Sequence, residues 1–455
     1  MNPRVFREYD IRGVADRDLS DEFARDLGRA IGTHLRRAGA ARVTLGADCR
    51  LTSPRLHDAL LAGLLETGLA VEDLGVVATP LLYFSVLHRQ ADGGVQITGS
   101  HNPPEDNGFK VMRGQGTIYG EEIQALRRLV ESRDFLRAEV PGTTQAVDIL
   151  APYLDHAASA LAPGPRRFKI VVDAGNGTGG VACVPLLRRL GFEVEELYCE
   201  MDGRFPNHHP DPTVEENVAE LRRAVARSGA ELGLALDGDA DRLGVVDARG
   251  RIVWGDQLMI LFARAILAEQ PGATFVSEVK CSQALYDEIE RAGGRAIMWK
   301  VGHSLIKVKM KQEQAVLAGE MSGHLFFAHR YLGFDDGIYA AGRLVELLSR
   351  SPTTLAEHVD GLPQLCNTPE LRLECPDEIK FEVVRRAVAR FRERHEVVDV
   401  DGARVKVGDG WGLVRASNTG PVLVLRCEAQ SPDRLAEIRR YVEGTIADIR
   451  QELGA

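Results

Sequence analysis

A serine on a glycine-flanked turn and three aspartates at alternate positions are the side chains of this 455-residue chain whose types and spacing point most directly to chemistry. Val95 and Ile97 alternate with Gln96 and Thr98 in a run that reads as a short strand, and Gly99, Asn102, Pro103 and Pro104 then forbid a regular element. Ser100 is therefore expected on a loop. Gly99 would let a ligand or another backbone approach, and His101 could steer a hydroxyl proton, as an activated nucleophile requires. Taken alone, the same residues also suit a solvated turn.

The three aspartates stand in Asp237-Gly238-Asp239-Ala240-Asp241-Arg242, between the apolar runs 232–236 and 243–246. Crowded carboxylates are unfavourable unless a cation neutralises them, so Asp237, Asp239 and Asp241 are expected to converge on one hard divalent ion of the Mg²⁺ type. An EF-hand is excluded, because Arg242 stands where its glycine would be and Ala248 where its glutamate would be. Glu320 and Ser322, in Gly319-Glu320-Met321-Ser322-Gly323-His324, would point the same way if locally extended and would suit adjacent sugar hydroxyls. His324 could move a proton at neutral pH. A fourth loop, Arg415-Ala416-Ser417-Asn418-Thr419-Gly420, offers an arginine, two hydroxyls and an amide as a phosphate cradle without a lysine.

One motif competes. Gly175-Asn176-Gly177-Thr178-Gly179-Gly180 satisfies G-x-G-x-x-G after a strand and before a helix, with Glu200 at the distance expected of a ribose-binding carboxylate. An NAD-dependent dehydrogenase would follow from it, but Pro185 falls early in the helix and the other loops would be left without a role. P-loop and G-x-S-x-G patterns are absent, which removes the common NTPase and α/β-hydrolase readings.

Stepping strands and helices position these loops. Ser20 can cap a helix with Phe23, Leu27, Ala30 and Ile31 on one face; Val43 to Gly46 reads as a buried strand and Leu56, Leu60 and Leu64 as a helix face. The pattern of strand, turn and helix recurs at Lys169–Gly177 with a strand at 193–198, and at Thr274–Val279 with a helix at 283–292. Three α/β domains with mixed sheets are expected, followed from about Leu362 by a smaller α+β domain containing strands at 412–414 and 422–425 and a final helix at 434–449. The divisions fall at 1–146, 147–249, 250–362 and 363–455. Composition is that of a soluble globular protein, 44% apolar and 27% charged, and the formal charge of −10 argues against nucleic-acid or membrane surfaces as partners. Seven scattered cysteines without a C-x-x-C pair fit reduced thiols in a cytoplasmic setting, and neither a signal peptide nor a membrane span is read.

In their order along nearly the whole chain, the four loops resemble those of the α-D-phosphohexomutase family, on its bacterial phosphomannomutase/phosphoglucomutase branch. The resemblance implies four domains around a central cleft, each giving one loop. It implies that Ser100 carries a phosphoryl group, with Mg²⁺ held by Asp237, Asp239, Asp241 and an oxygen of Ser100. It implies further that hexose 1- and 6-phosphates interconvert through a 1,6-bisphosphate, with glucose 1,6-bisphosphate as activator. Lys110 and His324 become candidates for proton handling, with Arg12 and His101 beside the reacting group, Tyr9 lining the cleft, Arg242 by the metal loop and His303 near the sugar. Arg415, Ser417, Asn418 and Thr419 would grip the non-reacting phosphate. If Glu320 and Ser322 hold the 3- and 4-hydroxyls, carbon 2 is little read and both glucose and mannose are accepted. Met321 fits that branch better than the phosphoglucosamine mutases, where Gln is frequent, although the latter would use the same mechanism. The small-molecule partners are hexose phosphates, and the protein is expected as a monomer or homodimer. Ala240 departs from the family's frequent glycine, with the three carboxylates intact.

Overall fold

The computed structural model describes residues 2–417 and 420–454. Its first sheet runs in the order Ile11–Val14, Asp106–Arg113, Gly93–Ile97, Arg42–Ala47, Ala70–Val76, Thr144–Ala146. Arg42–Ala47 lies centrally and pairs in parallel with Ala70–Val76 on one side and Gly93–Ile97 on the other; Gly93–Ile97 then pairs antiparallel with Asp106–Arg113. Because the chain leaves the central strand first toward one edge and later toward the other, the loops at these strand ends diverge and open a crevice. Residues 98–105 form its lip.

The second and third sheets repeat this plan. Lys169–Asp173 is flanked in parallel by Glu193–Leu197 and Leu232–Leu236, and Leu232–Leu236 pairs antiparallel with Leu243–Asp247. Thr274–Glu278 is flanked by Arg295–Trp299 and Leu317–Gly319, and the latter pairs antiparallel with Leu325–Phe327. In each unit the turn from the third, parallel strand into the antiparallel fourth carries a predicted site loop. The last sheet is wholly antiparallel around Gly410–Ala416 and Val422–Ala429, packed by the helices Asp377–Arg392 and Pro432–Glu452. The fold is thus three similar α/β units with mixed sheets and a smaller α+β unit.

Local chemistry sets the ends of these elements. Ser20 Oγ accepts from Phe23 N at 3.2 Å, so the helix Asp21–Arg37 starts where a side-chain cap is available. Gly93–Ile97 is buried on both faces rather than one, because helices cover both sides; Gln96 is tolerated inside by donating to Val77 O at 2.8 Å. Asp336 caps Gly337–Ser349 through Tyr339 N at 2.8 Å and also accepts the hydroxyls of Tyr153 and Tyr331, joining a helix before the second sheet to one after the third. Among the described residues no helix is long and apolar enough to cross a membrane.

Burial pushes the Asp336 carboxyl up to about 6 from an ordinary 3.8, despite the hydrogen bonds that favour its charge. The folded chain therefore keeps a proton that the unfolded chain releases, and this residue's contribution to stability declines as pH rises from about 3.8 to about 6. Asp336→Asn is expected to remove that part of the pH dependence of Tm while leaving the slope elsewhere; an unchanged profile in thermal melts would refute the assignment.

Candidate functional site

The turn after Gly93–Ile97 and the turn after Leu232–Leu236 meet face to face. Ser100, at φ +48°, points its hydroxyl at Asp237 and donates to Oδ2 at 2.8 Å, with His101 Nδ1 at 3.1 Å. A non-glycine residue in the left-handed region is strained, and such strain persists only where surrounding contacts enforce it. Asp237, Asp239 and Asp241 are each fully buried, with one oxygen apiece inside a 4.8 Å cluster. Lys110 reaches in from the fourth strand of the first sheet and donates to Asp239 Oδ2 at 2.6 Å and Asp241 Oδ2 at 2.5 Å. Thr79 Oγ1 adds a 2.6 Å bond to Asp239.

The charges are unequal. Burial, reinforced by Asp241 and Asp239, pushes the Asp237 carboxyl well above its ordinary range. Burial would also raise Asp239, but Lys110 and its hydrogen bond overcome that and hold it low. Lys110 itself is raised, its desolvation outweighed by Asp239 and Asp241. Asp239 Oδ1 and Asp241 Oδ1 are buried with no hydrogen-bond partner. Orphaned hard oxygens beside a carboxyl driven to keep its proton are what a divalent cation would satisfy, so the acidic cluster fits a metal.

His324 sits on the far side of Asp241. Its Nε2 accepts from Arg242 Nε at 3.0 Å, and its Nδ1 lies 3.4 Å from Asp335 Oδ2. His303 Nδ1 is also 3.4 Å from that oxygen, and Lys307 holds the other oxygen of Asp335 at 2.9 Å. Burial, then Lys307, keeps His303 below its ordinary value; burial, then Arg242 and Arg12, does the same more strongly to His101, so both rings are neutral at pH 7. Arg12 donates to Asn102 Oδ1 at 2.6 Å and Tyr9 OH to Val301 O at 2.9 Å. Glu320 accepts Gly302 N at 2.7 Å; burial raises it, but His324 and Lys280 bring it below the usual range. Arg415 pairs with Asp401 at 3.1 Å.

These groups line one cleft of about 630 Å³ that includes Tyr9, Arg12, Ser100, His101, Lys110, Asp241, Arg242, His303, Glu320, Ser322, His324, Arg415 and Ser417. Asp237 and Asp239 stand behind its wall. Asn418 and Thr419 lie outside the described residues. The cleft has two cationic groups, Arg12, Lys110 and Arg242 around Ser100, and Lys280, Arg415 and Arg426 toward the last sheet.

Four family models match in order: phosphoglucomutase/phosphomannomutase alpha/beta/alpha domain I over residues 3–137, domain II over 151–250, domain III over 254–366 and the C-terminal domain over 370–444. This chain belongs to the phosphoglucomutase/phosphomannomutase family. It is 45% identical to a phosphoglucomutase of Neisseria gonorrhoeae, covering 97% of this chain and 96% of that one. It is also 45% identical to a phosphomannomutase/phosphoglucomutase of Pseudomonas putida, covering 99% and 96%. A crystal structure of a phosphoglucomutase/phosphomannomutase family protein from Burkholderia thailandensis superposes with a TM-score of 0.92 at 39% identity, covering 99% and 98%.

Within this phosphohexomutase one expectation changes, and the competing dinucleotide reading falls. The 319–324 loop is a closed turn rather than extended, because Glu320 N bonds to His324 O at 2.9 Å and Gly323 N to Glu320 O at 3.1 Å. Glycines 175–180 do not cradle a nucleotide. A Cβ on Gly177 would fall 2.6 Å from Gly238 O, and Thr178 N bonds that carbonyl at 3.0 Å, so the glycine turn is the packing floor of the aspartate loop. Ala240, where the family favours glycine, sits at φ +60°, a conformation costing a side-chain residue roughly 1–2 kcal/mol. Sequence reading passed over Arg50, Thr79, Lys280, Lys307, Asp335 and Asp401. Asp48-x-Arg50 and Gly333-Phe334-Asp335-Asp336 both follow apolar strands, a signal that was present but unspecific.

Mg²⁺ in excess is expected to raise Tm by roughly 5 °C through binding to the folded state alone, and Asp239→Asn to abolish the rise. Because burial makes Asp237 take up a proton more readily than an ordinary carboxylate, protons compete with the cation there, and the midpoint Mg²⁺ concentration should increase as pH falls. Scanning calorimetry across Mg²⁺ and pH reads both effects; a rise that persists in the variant would disprove the site.

Proposed function

We propose that this protein interconverts the 1- and 6-phosphates of mannose and glucose by passing a phosphoryl group to and from Ser100. The observation that carries the reading is Ser100 Oγ held 2.8 Å from Asp237, one of three clustered buried carboxylates, in a cleft that Arg415 also lines. We take the chain as four domains, 1–146, 147–249, 250–362 and 363–455, each contributing one loop.

In this reading Asp237, Asp239 and Asp241 hold Mg²⁺, with an oxygen on Ser100 completing the set. The ion supplies Lewis-acid neutralisation of charge on the transferring group. Arg12, His101 and Arg242 surround that group. Arg415, Ser417 and the loop through Asn418 and Thr419 bind the distal phosphate, and Glu320 and Ser322 orient the sugar through its hydroxyls. Lys110 stays protonated against Asp239 and Asp241, so its part is electrostatic unless the approaching substrate separates them. His324, whose Nε2 accepts from Arg242 Nε at 3.0 Å, becomes the group to take the sugar hydroxyl's proton once the substrate draws Arg242 away from it. The bisphosphate formed then turns end for end between the two cationic groups, and the second phosphate returns to Ser100.

Turnover of glucose 1-phosphate and mannose 1-phosphate, assayed with Mg²⁺ and a trace of glucose 1,6-bisphosphate, is expected at rates within about tenfold of each other, as a site blind to carbon 2 requires. Ser100→Ala should lower kcat by at least about 10³-fold. Turnover of glucosamine 1-phosphate alone would reassign the substrate, and no turnover of any of the three would overturn the reading.

A further inference from the structure

We propose that Arg50 is the positioning residue of the nucleophile: four of the five N–H donors of its guanidinium hold carbonyls of the turn that presents Ser100, and the fifth pairs with Asp48. The proposal rests on the phosphoryl-transfer reading above.

Arg50 follows the central strand of the first sheet and is 1% exposed. Its Nε donates to Asp48 Oδ2 at 3.1 Å. Nη2 donates to Ser100 O at 2.7 Å and Asn102 O at 2.6 Å, and Nη1 to Asp106 O at 3.0 Å and to Pro103 O. Each of the five donors an arginine possesses thus has one acceptor, and four of these are carbonyls of one turn. Asp48 takes the opposite polarity, accepting Gly99 N at 3.1 Å and Arg50 N at 3.0 Å, while Ser53 Oγ fills its remaining side at 2.6 Å. Carbonyls are drawn inward and away from the face that a phosphoryl group must approach.

The packing admits little else. A Cβ at Gly99 would fall 2.5 Å from Arg50 Cζ, so glycine precedes the serine to let the guanidinium in. Ser100 at φ +48° is the strained residue, and its carbonyl is gripped on one side by Arg50 while Gly238 crowds it on the other. From the second domain, Phe205 lies 5.1 Å below the guanidinium, and Gly203 forms a backbone bridge with Arg50 itself. The Arg50–Asp48 pair has no net charge, so its effect on Ser100 is geometric. A residue that gives a phosphoryl group in one half-reaction and takes it back in the next must return Oγ to the same place each time. Loss of that placement should appear in kcat and not in KM, since Arg50 lies outside the cleft lining.

Arg50→Lys keeps the ion pair with Asp48 but has too few donors, and no fork, for the four carbonyls. It is expected to fold, to lower kcat by about 10- to 100-fold in both directions, and to leave KM for glucose 1-phosphate within roughly threefold. In Arg50→Ala, millimolar guanidinium should restore turnover saturably, whereas added ammonium should not. A lysine variant with kcat within roughly twofold of wild type overturns the proposal, as does a loss that merely tracks the unfolded fraction measured by circular dichroism. If the alanine variant does not fold, the lysine variant decides. Wild-type turnover on the hexose phosphates separately tests the parent reading: its absence overturns both, whereas unaffected variants beside an active wild type overturn only the role of Arg50.

Discussion

Three buried carboxylates within 4.8 Å of one another are the constraint from which the rest of the structure follows. Stripping such groups of water is costly by several kcal/mol each unless positive charge and hydrogen bonds replace it. The second domain supplies the aspartates and few of the groups that compensate them. Lys110, Thr79 and Ser100, all from the first domain, make the compensating contacts, and Thr79 N also binds Asp239 O at 2.9 Å. The contact between the first two domains is therefore the acidic cluster itself. One ammonium among three carboxylates is not enough, and the shortfall appears as the raised carboxyl of Asp237 and the two orphaned oxygens.

The repeated sheet plan explains why each site loop has a partner loop. In all three α/β domains the third parallel strand ends beside the central one, so the loop after the central strand lies under the loop that turns into the antiparallel strand. Arg50 and Asp48 lie under Ser100. The glycine turn 174–179 lies under the aspartates, bonding Gly238 through Thr178. Glu278, at the end of its central strand, accepts Met321 N at 3.0 Å and so steadies the 319–324 loop. Three times, the topology places a supporting segment at the same point, and three times it does so with different chemistry: a guanidinium, bare backbone and a carboxylate.

This division decides what was legible in the sequence. The site loops carry dense, unusual residue types, so Ser100, the aspartates, Glu320 and His324 could be picked out, not each alone but from the order in which the four loops follow one another. Strand and helix placement followed from periodicity, with Ser20 and the apolar face of its helix found where expected. Supporting residues left no such mark. Arg50 looks like a surface arginine in a turn, and only the three-dimensional neighbourhood of residues about fifty positions away makes it a buried fork. Gly175–Gly180 offered a competing motif, because glycine needed for close backbone packing and glycine needed for phosphate approach are the same residue. Local extension at Glu320 failed because a turn between a parallel and an antiparallel strand must reverse the chain within a few residues.

The four domains are not held together equally. One apolar core runs continuously from Leu81 and Phe84 of the first domain through Leu186 and Leu234 of the second to Phe262 and Leu344 of the third. The last domain has its own core and meets the third through a small apolar cluster around Val279, Trp411 and Leu413. The rest of that contact is polar: Arg404 donates to Val279 O and Cys281 O at 2.6 and 2.7 Å, Arg426 to Lys280 O at 2.7 Å, and Glu428 accepts Gln283 N at 2.9 Å. Hydrogen bonds of this kind exchange readily with water, whereas separating a continuous core exposes apolar area at roughly 25 cal/mol per Å². Opening the cleft along the last domain is therefore the least costly motion the architecture permits. It leaves Ser100, the aspartates and His324 undisturbed, while Arg415, paired with Asp401, moves with the last domain.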